Sequence, residues 1–375
     1  MRQGNDRIKG FDALRLVMVL LVIMLHAAMT YMMFVPQWWY VIDDNRSFAM
    51  AMLVVFLDSF PMSALFFLSG YFAPPSLAKR GTSLFLRDKF MRIGLPWILG
   101  VAFVAPFFAY ASYLKYGIGP VTAWGFMTGW FFGPFYQQGH YWFLGVLFLF
   151  LLAYAIFCKG GAGAKAEKAA ETGKSPAALI AALWTAGTLS YCLAAYFIKP
   201  AVEWVNIMYV LYFQHARFVG YAGFFALGTY GWRAGWFSEG GWVPSPAKWG
   251  AAGIVSSALL LRWTFFKAPG LDANTNIIIE AVLYNSTMIA MTFFTAGLFM
   301  RKSLPFEKAV GILSPHSYPI YWLHQIVLTP LVYFLKPFHV SVAIKWAVSS
   351  AFTVFVCYLL SAYFLKRAPF LKRIF

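Results

Sequence analysis

Read for the alternation of apolar and polar positions, the chain shows long apolar stretches separated by short polar connections. About ten stretches can be delimited, at 11–34, 48–73, 93–114, 140–158, 177–198, 204–232, 249–266, 275–300, 309–333 and 339–365. Most are near or above the length of about 20 residues that a helix needs to cross roughly 30 Å of hydrocarbon. The pattern therefore predicts an all-α integral membrane protein, a single bundle of about ten transmembrane helices filling residues 1–375. The stretch at 204–232 is the least regular, because polar residues interrupt its first half, EWVNIMYVLYFQHARF. The first stretch is too long for a signal-peptide core and no small-residue cleavage site follows it, so it reads as a retained span. No fixed-period repeat is visible. The segment GGAGAKAEKAAETGKS lies within an expected flexible cytoplasmic linker at 159–176.

Composition agrees with a membrane setting. Of 375 residues, 61% are hydrophobic and only 11% charged, which excludes an ordinary soluble domain. The formal net charge of +17 raises the question of nucleic acid. The cations sit in short connections, however, where they act first as a topology signal, so no nucleic-acid partner is expected. Alternate connections carry them: Arg2, Arg7 and Lys9; then Lys79, Arg80, Arg87, Lys89 and Arg92; then Lys159 to Lys174; Arg233 and Lys248; Arg301, Lys302 and Lys308; and the tail from Lys366. The intervening connections hold Asp43, Asp44, Glu203 and Asp272. By the positive-inside rule both termini are expected in the cytoplasm. Cys158, Cys192 and Cys357 show neither a disulfide framework nor metal spacing, and no metal is expected.

Ionisable groups inside spans are costly and mark candidate sites. Here they are Arg15, His26, Asp58, His215, Arg217, Glu280 and His324, with Arg262 and Lys345 near outer ends. Arg15 and His26 are eleven residues apart, three turns plus about 20°, so they share a helix face at a separation of roughly 16 Å. A ligand with an anionic head and a long thin arm suits such a wall. The plainer alternative is that Arg15 snorkels to the headgroups and His26 packs with a hydrogen bond. Counting along the second and ninth stretches puts Asp58 and His324 near the depth of His26, which suggests a buried acid–base group. Ser69, Gly70 and Tyr71, with Arg87 and Arg92, fall toward the end where Arg15 starts, and arginines there can neutralise phosphates. Lys89 reads more simply as topology. His140 and Trp142 open the fourth stretch, where the aromatic belt is an equal reading. His215, Arg217 and Glu280 can line the same cavity from outside or close structural ion pairs.

In this setting the chain resembles the acyltransferase-3 family of polytopic membrane O-acyltransferases. The resemblance rests on Arg15 and His26, FFLSGYF at 66–72, RDKFMRIGLPW at 87–97, HYWFLGVL at 140–147 and SYPIYWLHQ at 317–325. In layout it is similar to the branch of periplasmic glucan succinyltransferases, on FLDSFPMSALFFLSGYF, HYWFL and the tail KRAPFLKRIF. The resemblance implies transfer of an acyl group, acetyl or succinyl, from cytoplasmic acyl-CoA to a hydroxyl of an extracytoplasmic glycan. Acyl-CoA is then a co-substrate, no cofactor is bound, and the location is a bacterial inner membrane. Acceptor delivery by partner proteins fits this picture.

It also implies that Arg15 and His26 form the essential pair, that Ser69, Gly70, Tyr71 and Arg92 serve the donor side, and that His324 is a late-span histidine. The chemistry expected is general-base attack through His26, with Asp58 orienting its ring and His324 polarising the carbonyl or serving as the alternative base. A covalent acyl-enzyme stays open. A succinyl carboxylate calls for a further cation, for which Arg217 or Arg262 are candidates. The competing expectation from another class is a transporter of an anionic solute that uses the buried arginines and histidines as its path.

Overall fold

In hydrocarbon every backbone N–H and C=O has to be paired within the chain, and a helix does this residue by residue. The computed structural model describes residues 9–116, 119–158, 176–198, 203–267, 269–301 and 306–375, and most of these are helical. In chain order the α-helices are α1 (Lys9–Tyr31), α2 (Phe48–Asp58), α3 (Pro61–Lys89), α4 (Leu95–Leu99), α5 (Ala105–Lys115), α6 (Ala123–Phe126), α7 (Trp142–Phe157) and α8 (Ala177–Phe197). They continue with α9 (His215–Arg233), α10 (Pro246–Phe265), α11 (Ala273–Arg301), α12 (Glu307–Leu313), α13 (Ser317–Leu335), α14 (Val342–Leu360) and α15 (Leu371–Ile374).

Among the described residues, six helical runs are long and apolar enough to cross a membrane: Lys9–Tyr31, Phe48–Lys115, Gly139–Phe157, Ala177–Phe197, Ala273–Met300 and Val342–Leu365. Two stretches separate in the sequence, 48–73 and 93–114, fall within one of these runs, Phe48–Lys115. The remaining three are represented by α9, α10 and α13, whose polar residues set them below the six in apolar composition. The expected linker at 159–176 lies, apart from Pro176, outside the described residues, as do Arg2, Arg7 and Lys302.

Two local departures from the expected spans shape the site. The stretch at 204–232 begins as an antiparallel hairpin, Trp204–Ile207 paired with Leu211–Gln214, and only then turns into α9. Aromatic and β-branched residues such as Trp204, Val205, Ile207, Tyr212 and Phe213 suit a two-stranded ribbon there. Its tip is held by Gln138, which donates to the Val210 carbonyl at 3.1 Å, and by the Tyr136 hydroxyl, which donates to the Tyr209 carbonyl at 2.5 Å. The stretch at 48–73 is broken at Ser59 and Phe60, with Pro61 starting α3 where a missing N–H costs nothing. Asp58 is consequently the last residue of α2, at a break rather than in mid-helix.

α1 is the hub. It packs against α2, α3, α11, α13 and α14 and buries most of its length. The C-terminal end of α1 in this hub is pinned by a fully desolvated ion pair in which Lys345 on α14 donates to Asp43 at 2.7 Å and to the Lys336 carbonyl at 3.0 Å. Asp43 and the Lys345 side chain are 1% and 0% exposed, so this acid of a connection between spans is interior.

The helices α3 and α9 touch backbone to backbone. A Cβ at Gly70 would meet the Phe225 carbonyl oxygen at 2.0 Å, and one at Gly228 would meet the Phe67 carbonyl oxygen at 2.2 Å. Such close approach is the use of small residues in membrane helices. Gly70, expected on the donor side, is thus placed in a helix crossing. Neither partner atom is a movable side-chain end, so Gly70→Ala is expected to cost at least the roughly 1–3 kcal/mol of overpacking. A lower melting temperature of the purified protein in detergent checks this, and an unchanged one would contradict the crossing.

Candidate active site

The face of α1 that carries Arg15 and His26 opens onto two cavities. Around Arg15 lies a space of about 270 Å³ lined also by Ser69, Lys89, Ser317, Tyr318 and Tyr321. Around His26 lies one of about 390 Å³, lined also by Asp58, His140, Trp142, Arg217 and again Tyr321. Tyr321 is common to both walls. One cavity therefore carries two cations, and its neighbour carries two imidazoles and an ion pair.

At the Arg15 end, the guanidinium donates to the Asp12 carboxylate at 2.7 Å and to the Ser317 hydroxyl at 3.1 Å. Its side chain is 40% exposed, which leaves it open to a ligand. Ser69 lines this cavity while its hydroxyl donates to the Leu65 carbonyl at 2.8 Å, a bond within its own helix. Tyr71 is buried elsewhere, its hydroxyl donating to the Trp236 carbonyl at 2.7 Å. Arg87 is exposed and outside the lining. Arg92, 59% exposed, pairs with Asp88 at 3.3 Å, and Asp88 also contacts Arg80. The second cation of the cavity is Lys89, which the sequence reading set aside as topology. Ser317 was also missed. It lies seven residues before His324, two helical turns, so the spacing that places Arg15 and His26 on one face does the same for Ser317 and His324.

At the other end the rings of His26 and His324 are joined. His26 Nδ1 is 2.9 Å from His324 Nε2, and His324 Nδ1 is 2.5 Å from the Tyr321 carbonyl oxygen. The network assigns the protons. A carbonyl only accepts, so His324 carries its proton on Nδ1, and as a neutral ring it presents a lone pair at Nε2. That lone pair accepts from His26 Nδ1–H. His26 is then left with a bare Nε2, for which no hydrogen-bond partner exists among the described residues. Trp39 stacks on the His26 ring at 5.7 Å and 12°, limiting its rotation.

Asp58 does not take the orienting role expected of it. Its carboxylate is 2.6 Å from Arg217, whose guanidinium lies 4.5 Å from the centre of the Tyr284 ring. The break after α2 turns the acid toward α9, and the position beside His26 Nδ1 goes to His324. His140 is 3% exposed, which removes it from the aromatic belt. Its Nε2–H donates to the Trp322 carbonyl at 3.1 Å, and its ring is 4.4 Å from that of His324. Its Nδ1 is buried with no partner among the described residues. Trp142 lines the cavity and packs on Trp204 of the hairpin. His215 opens α9 and is buried. Glu280 lines neither cavity; it accepts from the Tyr191 hydroxyl at 2.8 Å and faces Lys267 at 3.8 Å.

The cavity of His26 thus holds an imidazole with a free nitrogen, backed by a fixed hydrogen-bond acceptor, and shares the wall residue Tyr321 with the cationic cavity. A family model described as an acyltransferase domain, that of the acyltransferase-3 family, matches residues 8–362. The chain belongs to that family. No curated protein and no solved structure matches it. The matched residues of this membrane acyltransferase include α1, both cavities and all three clustered histidines. Membership supports the acyltransferase expectation.

Proposed function

We propose that this acyltransferase moves an acyl group from acyl-CoA, bound from the cytoplasm at Arg15 and Lys89, to a hydroxyl of a glycan on the far side of a bacterial inner membrane. The observation that carries this reading is the bare Nε2 of His26 in a cavity that shares Tyr321 with the cationic one. Coenzyme A has anionic phosphates at one end of a thin arm and the thioester at the other. The height between Arg15 and His26, about 16 Å, suits that arm. Binding the phosphates far from the carbonyl gives remote binding energy that can be used to position the reacting group.

The acceptor hydroxyl gives its proton to His26 Nε2 as its oxygen attacks the thioester carbonyl. The tetrahedral intermediate then collapses, the C–S bond breaks, and the proton on His26 passes to the departing thiolate. His324 holds His26 in the required tautomer throughout. Being neutral, it stabilises the imidazolium through a ring dipole rather than a full charge, a weaker version of the carboxylate in other triads. Apolar walls, with Val22, Leu25, Leu57 and Tyr221, keep water from competing for the thioester.

The test is release of free coenzyme A by the purified protein in nanodiscs, given acetyl-CoA or succinyl-CoA with a periplasmic glycan fraction. Release that requires the glycan supports the reading. Uptake of an anionic solute into liposomes with no thioester consumed would overturn it. If Arg15 serves the donor phosphates, Arg15→Gln should raise the KM for acyl-CoA by about tenfold, the scale of one charge-assisted hydrogen bond, with a smaller change in kcat. A fall in kcat with KM unchanged would instead tie Arg15 to the reaction step.

A further inference from the structure

In the cavity of His26, the charged side chains are Asp58 and Arg217. They differ sharply in access. The Arg217 side chain is 7% exposed, held by Asp58 at 2.6 Å and stacked on Tyr284, whereas the Asp58 side chain is 43% exposed. Whatever occupies the cavity therefore meets the acid before it meets the base. The geometry points to Asp58 as a specificity-determining residue: by occupying Arg217 and presenting its own carboxylate to the cavity, it selects an uncharged acyl group over one that ends in a carboxylate. The inference rests on the reading that thioester and hydroxyl meet at His26.

The argument is electrostatic and spatial. A succinyl chain carries its carboxylate about 4 Å beyond the thioester carbon, inside the same cavity when that carbon is at His26 Nε2. There it needs a cation. The cavity's guanidinium is already bound to Asp58, and His26 and His140 enter as neutral rings. A second carboxylate would have to displace Asp58 from Arg217 or stand beside the Asp58 carboxylate, and like charges at close range in a confined cavity repel. An acetyl group asks for none of this. The expectation that Arg217 receives a succinyl carboxylate is thereby reversed: the same arginine is the partner that keeps Asp58 in place. Arg262, the other candidate, is outside the cavity lining, with its guanidinium 5.7 Å from the Phe266 ring.

The experiment is a competition between acetyl-CoA and succinyl-CoA for the full-length protein in nanodiscs, with the acyl groups on a periplasmic glycan fraction counted by mass spectrometry. Wild type is expected to favour acetyl by at least about tenfold in kcat/KM, the scale on which one unfavourable charge contact discriminates. Asp58→Asn, which releases Arg217, is expected to move that ratio at least about tenfold toward succinyl. Arg217→Gln leaves the acid unneutralised and should move it further toward acetyl. Equal use of both donors by wild type, or a preference for succinyl, overturns the proposal without any variant. So does a folded Asp58→Asn protein whose ratio is unchanged. Failure of wild type to transfer from either donor would instead remove the acyl-CoA reading of the site, and the proposal with it.

Discussion

His26→Ala is expected to lower the rate of acyl transfer by about three orders of magnitude, within the 10²–10⁴ range typical of a positioned general base. The substitution removes a bare ring nitrogen from the cavity wall, whereas the unpartnered Nδ1 of His140 is buried. His324 cannot replace it, because its Nε2 faces α1 and its Nδ1 is committed to the Tyr321 carbonyl. The donor should still bind, since Arg15 and Lys89 lie in the other cavity. Initial rates should therefore show a collapse in kcat with the KM for acyl-CoA nearly unchanged. Loss of the ring also leaves a gap beside Trp39, so His26→Asn is the variant to compare for folding. Activity within tenfold of wild type would move the role to another group, and His140, with its unpartnered Nδ1, would be first.

The second large effect is expected at His324, which touches no substrate in this scheme. His324→Leu removes the acceptor for His26 Nδ1–H. His26 then has no reason to keep its proton on Nδ1, and the tautomer with a proton on Nε2 cannot act as base. A fall of about 10²-fold in kcat is expected, less than the roughly 10⁴-fold loss known when a charged orienting carboxylate is removed. His324→Gln, whose amide oxygen can accept the same bond, should recover part of it. That recovery separates positioning from packing: His324 is 0% exposed, so a purely structural role would be met as well by leucine as by glutamine. If glutamine and leucine were equally inactive while both proteins melted like wild type, the hydrogen bond would not be what His324 supplies.

Much of the frame could be read along the chain because it depends on neighbours in sequence. The apolar lengths require helices, and the eleven-residue interval between Arg15 and His26 puts them on one face of any helix that contains both. Motif order led to the acyltransferase-3 family, whose match over residues 8–362 is now in hand. Counting residues along a helix even placed His324 at the depth of His26. The same counting put Asp58 at that depth, and it does line the cavity of His26, but counting could not show that its carboxylate pairs with Arg217. The pattern failed for 204–214, where composition suited a span and the chain instead makes a hairpin whose Trp204 and Gln214 line the cavity. Gly70 and Tyr71 sit in a motif that looks functional, yet one lets α3 meet α9 and the other bonds the Trp236 carbonyl.

By itself, then, the sequence determined what could be settled by length, composition and helical period: a helical membrane protein whose first helix shows a cation and an imidazole on one wall. Which group backs that imidazole was decided only by the tertiary structure. His26 and His324 are 298 positions apart, and their contact depends on how α1 and α13 pack. So does the exchange of partners that gives Asp58 to Arg217. A hydrogen bond needs its atoms within about 3 Å, whereas residue counting fixes a side chain's height and face on its own helix and says nothing about the neighbouring one.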